Sequence, residues 1–247
     1  MTDVSALDLP LCLYPFADEI LGVNVHFGTP PEELVRLVAG TSAISQSRTS
    51  QVLDICCGTA EGSIQLARAN PRTEFTCVDV TRSLLAAAES KVEGEGLAPR
   101  FTFVNEDANH WMRDSETQFD LVMCLAAHYV LGEPSDSLVR LLGRVRPGGW
   151  LVVDDCFSSE NSGLTIADVS LFKYCDRTIE VRQRLPLEQA TSITHFEGLA
   201  ERMRAVAERI ESGARDVEAW ISRRRGFLSE RDYPEAERVT IMAQLRS

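Results

Sequence analysis

Short apolar runs alternate with amphipathic segments between Gln51 and Phe157. Five of the runs are rich in β-branched residues and predict strands, at 51–56, 73–80, 100–107, 119–126 and 149–157. The segments between them carry apolar residues at helical spacing, as in SLVRLLGRV at 137–145. Near-continuous apolar strands separated by amphipathic helices are typical of a parallel sheet covered on both faces. The pattern therefore predicts an α/β fold of the Rossmann-like, doubly wound type with a mostly parallel sheet.

The regions on either side of this sheet are predicted to be helical. Upstream, Thr29-Pro30-Pro31-Glu32 has the sequence of a capping box with proline at the first helical position, and its helix ends at Gly40. The helical pattern downstream runs to Ser247 without an evident apolar final strand, and segment 158–190 has no assigned structure. Apolar residues of that pattern recur at steps of three and four, namely Leu199, Met203, Val206, Ile210, Val217, Trp220 and Ile221.

A length of 247 residues fits one large domain with extensions. We expect a single domain over 1–247, with its core at about 45–157. An N-terminal helical lid at 1–44 and a helical C-terminal part at 158–247 flank this core.

The composition excludes several classes of function. The chain has 37 acidic and 25 basic residues and a net charge of −12, which disfavours a nucleic acid partner. Its seven cysteines are odd in number and form no C-x-x-C pair, so they indicate neither a disulfide framework nor a metal site. The N-terminus lacks the features of a signal peptide, and no apolar stretch reaches the about 18 residues of a membrane span. We therefore expect a cytoplasmic protein with reduced thiols and no membrane partner.

The first predicted strand leads into a candidate ligand loop, VLDICCGTAEG at 52–62. In a doubly wound sheet, ligands bind where such loops leave the strands. A dinucleotide site requires G-x-G-x-x-G, but only Gly58 is present, because Cys56 and Glu61 hold the other two places. A carboxylate in the first helical turn would also repel a pyrophosphate. The loop therefore favours a nucleoside ligand without phosphates.

Polar residues also mark the ends of the next three predicted strands. Asp79 follows Asp54 by 25 residues, and a carboxylate there can accept two hydrogen bonds from a ribose diol. The third strand ends at Asp107-Ala108, and the fourth leads into AAHYVL with His128. Because the carboxyl ends of parallel strands meet at one edge, we expect all four loops to face one crevice.

These segments resemble, in order and spacing, the motifs of the class I S-adenosylmethionine-dependent methyltransferases of small-molecule type. VLDICCGTAEG is similar to their first motif, in which an acid precedes x-G-x-G-x-G, and CVDVTRSLLAAA (77–88) to their acidic ribose loop. VNEDA (104–108) resembles their adenine loop. FDLVMCLAAHYVL and LLGRVRPGGWLVVDD (141–155) resemble their fourth strand and their last helix with the fifth strand. The resemblance covers about residues 20–157.

The resemblance implies S-adenosyl-L-methionine as the cofactor. Asp54 and Gly58 would line its methionine part, and Asp79 would hold the ribose hydroxyls. The loop after the third strand would border the adenine, and a backbone carbonyl after the fourth strand would accept from the ammonium. The implied cofactor-binding residues are Asp54, Cys56, Gly58, Asp79, Val80, Asp107, Ala108, Cys124 and Leu125.

The implied reaction is methyl transfer to a small-molecule metabolite. His128 and Asp155 are the candidate bases, and Tyr14 is a candidate for cation–π contact with the sulfonium. Each has a structural alternative: His128 as a helix cap, Asp155 as a strand-end cap and Tyr14 as a core residue. We also expect segment 10–28, hinged at Thr29, to close over the cofactor and exclude water. The acceptor and the oligomeric state are left open.

Three alternatives to methyl transfer are open from the same residues, and one of them is favoured over the other two. Cys56 and Ala60 stand where the family prefers glycine, so their Cβ atoms would press on the space of the methionine chain. Such a site could favour cyclisation of S-adenosylmethionine itself to azetidine-2-carboxylate, with release of methylthioadenosine. A non-catalytic binding module is disfavoured by the intact acids, and a nucleotide-dependent oxidoreductase by the incomplete glycine pattern.

Overall fold

A computed structural model describes residues 13, 16, 19–20, 29–45, 47–125, 127–132, 134–158, 175–185, 193–229 and 236–247. Within these residues the strands are β1 (Ser50–Ile55), β2 (Thr73–Asp79), β3 (Phe101–Asn105), β4 (Phe119–Cys124), β5 (Val145–Ser158), β6 (Cys175–Leu185) and β7 (Ala236–Leu245). The helices are α1 (Pro31–Ala39), α2 (Glu61–Ala69), α3 (Arg82–Gly94), α4 (Ala108–Asp114), α5 (Pro134–Leu142), α6 (Ile193–Arg209) and α7 (Ala214–Ser229), with 3-10 turns at Ala98–Arg100 and His128–Leu131.

The strands of the described chain form one seven-stranded sheet in the order β3-β2-β1-β4-β5-β7-β6. The first five are parallel to one another, and β7 runs antiparallel to both β5 and β6. The chain proceeds outward from β1 on one side and from β4 on the other, so the order reverses between these two strands. Ligands bind at this switch point in open α/β sheets. The predicted Rossmann-like, mostly parallel sheet is confirmed.

The core lies on both faces of the sheet. Val52 packs in a cluster with apolar side chains of α1, α2 and α3, while the next residue, Leu53, packs in a cluster with α4 and α5. Trp150 and Leu151 of β5 divide between the two clusters in the same way. Because each full burial of such a side chain contributes about 1.5–3 kcal/mol, both faces select apolar residues. This explains why the central strands are continuous apolar runs.

The C-terminal part, expected to be helical over 158–247, is helical only in part. Helices α6 and α7 form as predicted, but β6 and β7 also belong to this part of the chain and complete the sheet. In β7, Ile241 packs in one core cluster and Met242 in the other. A short run buried on both faces lacks the alternation of a half-exposed strand, so its periodicity cannot be distinguished from that of a buried helix.

The C-terminal helices hold part of the N-terminal region. Ile20 is fully buried against apolar side chains of α6 and α7. Arg202 Nε donates to the carbonyl oxygen of Ile20 at 2.6 Å, and Arg209 donates to both carboxylate oxygens of Glu19 at 2.6 and 2.7 Å. Most residues of segment 10–28 lie outside the described part of the chain, so its closure over a ligand stays a prediction.

The predicted capping box at Thr29 is also wrong. Pro30 is the N-cap of α1, and no side chain caps this helix. The backbone N–H and the hydroxyl of Thr29 instead donate to Oδ2 of Asp154, and its Oγ1 lies 2.8 Å from Oγ1 of Thr240. All three residues are buried, and Asp154 of β5 pairs with Thr240 of β7. The carboxylate therefore fixes the start of α1 to the middle of the sheet.

Replacement of Thr29 by valine should lower the free energy of unfolding by about 2 kcal/mol. Valine preserves the shape of the side chain but removes the hydroxyl that donates to the buried Asp154 carboxylate. Urea denaturation measures the change. Thr49→Val is the control, because Thr49 is exposed, and its effect should stay within about 0.5 kcal/mol. Equal stabilities of the two variants would contradict the assigned role of Thr29.

Candidate active site

The loop between β1 and α2 has an unusual backbone conformation. Cys56, Gly58 and Ala60 all have positive φ angles, of 57°, 55° and 53°. This left-handed region costs a residue with a Cβ atom about 1–2 kcal/mol. At Cys56 and Ala60, where the motif of the resembled family prefers glycine, the backbone thus keeps the left-handed conformation typical of glycine although both residues carry side chains. A Cβ atom on Gly58 would meet no atom within 4 Å, so the loop is open at this residue.

Asp79 connects this loop to the end of β2. Its Oδ2 accepts from the N–H of Gly58 and its Oδ1 from the N–H of Thr81, both at 2.8 Å. Burial raises the pKa of Asp79, and the N–H groups of Thr81 and Gly58 oppose that rise. The hydroxyl of Thr81 also hydrogen-bonds this carboxylate, which can accept about four hydrogen bonds in all. The structure therefore places the predicted ribose acid beside the open glycine, at the switch point of the sheet.

Asp54 lies beneath the same loop. It is 4% exposed, and its Oδ2 accepts from the hydroxyl of Ser63 at 2.6 Å. Burial raises its pKa to about 7, the hydroxyl of Ser63 opposes the rise, and the charge of Asp79 adds to it. Two buried carboxylates at one loop favour a positively charged ligand, because such a ligand would relieve their mutual repulsion.

The end of β3 is tied to the end of β2. The side-chain amide of Asn105 donates to the carbonyl oxygens of Asp79 and Val80, at 3.1 and 2.9 Å. Asp107 caps α4, because its Oδ1 accepts from the backbone N–H groups of Asn109 and His110 at 2.9 and 3.1 Å. Ala108 is buried behind the cap, whereas Val80 is 56% exposed at this edge. Val80 is therefore an exposed apolar side chain beside Asp79 and Asp107, and it can contact a flat apolar ring.

The end of β4 lies close to the first loop. Cys124 is buried. A hydrogen bond with the nearby Cys56 thiol and burial together raise the pKa of the Cys124 thiol. Leu125 packs over the start of α2, where its Cδ1 would lie 3.4 Å from a Cβ atom on Gly62. The structure therefore brings together, at the four loops, the residues that the sequence predicts to bind a cofactor.

The three candidate catalytic side chains lie outside the described part of the structure. For His128 and Asp155 the backbone is described, in the turn after β4 and in β5, but not the side chain. Tyr14 is not described at all. Their catalytic roles remain predictions.

Sequence reasoning missed two side chains that organise the site, Ser63 and Asn105. Asn105 lies within VNEDA, two residues before Asp107, and Ser63 lies in the helix after the glycine loop. A polar residue at the end of a strand is the signal for Asn105. A polar residue in the first turn of the helix that follows a ligand loop is the signal for Ser63.

No helix in the described part of the chain combines the length and the apolar character needed to cross a bilayer. No group of three His, Cys, Asp or Glu side chains in this part of the chain is arranged to hold a metal ion.

Known methyltransferases are similar to this chain in sequence and in fold. A family profile described as a methyltransferase domain matches residues 52–149. The demethylmenaquinone methyltransferase of Leptospira interrogans is 28% identical over 123 residues, 49% of this chain and 49% of that protein. The tRNA1(Val) (adenine(37)-N6)-methyltransferase of Vibrio cholerae is 29% identical over 108 residues, 44% of each. The chain thus spans about half the length of these curated relatives.

A solved structure extends the similarity to the whole fold. The SAM-dependent methyltransferase from Geobacter sulfurreducens, crystallised with S-adenosyl-L-homocysteine, superposes with a TM-score of 0.64 at 19% identity, over 97% of this chain and 100% of that one. The matched domain comprises the strands and loops that build the site, from β1 to the start of β5. As the motifs predicted, residues 52–149 match a methyltransferase domain, and the chain has the fold of a solved S-adenosylmethionine-dependent methyltransferase.

Proposed function

We propose that this protein binds S-adenosylmethionine at the loops after β1 to β4 and transfers its methyl group to a small molecule. The observation that carries the proposal is the contact between Gly58 and Asp79. It places an open backbone position and a buried acid side by side at the switch point, where a nucleoside with a cationic side chain finds both a close approach and hydrogen-bond acceptors.

The proposed binding mode assigns a part of the cofactor to each loop. Asp79 accepts from the ribose hydroxyls through the acceptor capacity that its protein partners leave open. The exposed Val80 contacts the adenine, with the loop at Asp107-Ala108 on its border. Asp54, Cys56 and Gly58 face the methionine part, and the Cys124 or Leu125 carbonyl accepts from its ammonium group.

The reaction requires alignment more than activation, because a sulfonium is already a good leaving group. The protein must hold the nucleophile, the methyl group and the sulfur in line and exclude water. His128 and Asp155 are the proposed bases for an acceptor that must lose a proton. Tyr14 is proposed to offer its ring to the sulfonium, a contact that contributes about 0.5–2 kcal/mol.

A small-molecule acceptor is supported by charge rather than by the relatives. The net charge of −12 opposes the approach of a phosphate polymer. The names of the relatives do not decide the acceptor, because one names demethylmenaquinone and another a tRNA adenine. We therefore include a tRNA among the acceptors to be tested.

Methyl transfer is favoured over cyclisation by the position of Ala60. Its methyl group is fully buried in the core cluster beneath α1 and α2, and so it does not line the open side of the loop. Only the partly exposed Cys56 still adds bulk beside the proposed methionine position. A compressed methionine pocket, which would favour cyclisation, has correspondingly little support.

The products of S-adenosylmethionine test the proposal. The protein is incubated with S-adenosylmethionine alone and with a panel of metabolites, quinones and tRNA, and the products are separated by mass spectrometry. We expect adenosylhomocysteine, formed only when an acceptor is present, and none from an Asp79→Ala variant that is folded by circular dichroism. Methylthioadenosine formed together with azetidine-2-carboxylate, without acceptor, would establish cyclisation instead. Binding of the cofactor without either product would contradict an enzymatic role.

A further inference from the structure

The turn after β4 is held by side chains from two neighbouring helices. This 3-10 turn, His128–Leu131, carries the candidate base His128 at its first position. Asn109 of α4 donates through Nδ2 to the carbonyl oxygen of Val130 at 3.0 Å. Arg140 of α5 donates through Nη1 to the carbonyl oxygen of Leu131 at 2.8 Å. The conformation of the turn therefore depends on groups outside the turn.

Asn109 also connects the two helices to each other. Its Oδ1 accepts from Nη1 of Arg140 at 2.7 Å, while its Nδ2 binds the turn. A side-chain amide is required for this, because it presents one acceptor and donor hydrogens on one rigid plane. Aspartate would keep the acceptor for Arg140 but could not donate to the Val130 carbonyl. Leucine has a similar size and offers neither.

The same residue lies next to the proposed adenine loop. Asn109 is the second residue of α4, and its backbone N–H donates to Oδ1 of the helix cap Asp107 at 2.9 Å. A shift of the loop at Asp107 on ligand binding would therefore move the amide that holds Val130, two residues after His128. No other described hydrogen bond between side chain and backbone joins the loop after β3 to this turn.

We propose that Asn109 is a positioning residue that sets the His128 turn relative to the bound cofactor. This inference rests on the proposed function, since it concerns the same site. Loss of the amide should leave the cofactor bound but misplace the turn. A displacement of about 1 Å at a reacting group lowers the rate on the order of a hundredfold, so a clear loss in kcat is expected.

Kinetics of the Asn109→Asp and Asn109→Leu variants test the proposal. We expect kcat to fall by about tenfold to a hundredfold, while KM for S-adenosylmethionine and Kd for adenosylhomocysteine stay within about twofold. Asn70→Asp is the matched control, because Nδ2 of half-buried Asn70 donates in the same way to the Leu66 carbonyl at 3.0 Å, before the amino end of β2. It should lose stability without losing kcat.

A double-mutant cycle separates positioning from a general structural effect. If Asn109 acts through the turn, adding His128→Ala to Asn109→Asp should lower kcat no further than the stronger single variant does. Additive losses, a His128→Ala variant with normal kcat, or a parallel loss of cofactor affinity in both Asn109 variants would each overturn the inference.

Hydrogen exchange supplies a readout that does not require turnover. In the wild-type protein, adenosylhomocysteine should protect amides both at residues 58–61 and in the His128–Leu131 turn. In Asn109→Asp the first protection should remain and the second should disappear. A wild-type protein that binds no adenosylhomocysteine would overturn the proposed function and this inference with it. Binding with identical protection and kcat in wild type and variant would overturn the inference alone.

Discussion

Replacing Gly58 with valine should abolish binding of adenosylhomocysteine while the protein still folds. A Cβ atom at this position meets no protein atom within 4 Å, so the first atom of the new side chain has free space. The φ angle of 55° at this position nevertheless strains any residue with a side chain, and a β-branched one most. The strain lowers the stability by about 1–2 kcal/mol. The valine methyl groups then occupy the space that the ligand needs.

Gly96 provides a matched control for the strain. It has a φ angle of 70°, and a Cβ atom there also meets no atom within 4 Å, but it lies in the exposed turn after α3. Gly96→Val and Gly58→Val should therefore lose similar amounts of stability in thermal unfolding. Calorimetric titration should detect binding to the Gly96 variant and none to the Gly58 variant. Normal binding by Gly58→Val would mean that the loop does not face the ligand.

The central sheet could be predicted from the sequence because its strands are buried on both faces. Such strands are uninterrupted apolar runs, and the acids Asp54 and Asp79 stand out at the ends of β1 and β2. Parallel pairing then brings the ends together, so positions far apart in the chain become neighbours by topology alone. For this reason the grouping of the four loops, which the structure confirms, could be predicted from the sequence alone.

The features that were missed depend on contacts between distant segments. Thr29 matches a capping box in sequence, yet its hydroxyl donates to Asp154, 125 residues later, and does not cap the helix. Asn105 reaches back 26 residues to the Asp79 carbonyl, and Asn109 reaches forward 21 residues to Val130. Local sequence patterns contain no record of such partners. The same holds for β7, whose place in the sheet depends on β5 and β6 rather than on its own periodicity.

The stability of the protein should depend strongly on the ionisation of Asp54. Its pKa is about 7 in the folded protein, against an ordinary value of 3.8. The folded state therefore binds a proton more tightly than the unfolded state, and the free energy of unfolding falls as the pH rises from about 4 to 7. The difference between the two pKa values corresponds to a loss of about 4 kcal/mol in the free energy of unfolding over this pH range. Asp54→Asn cannot titrate, so the difference in stability between wild type and variant should change by that amount.

The affinity for S-adenosylmethionine should change with pH in the opposite sense. A cationic ligand favours the ionised carboxylate, so below pH 7 binding must first release the proton of Asp54. Kd should therefore fall by up to about tenfold for each pH unit between 5 and 7 and level off above, since one proton is exchanged. Calorimetric titration at several pH values measures this slope. In Asp54→Asn the slope should vanish. A slope that persists in that variant would assign the titration to Asp79, whose pKa burial also raises, and would remove Asp54 from the site.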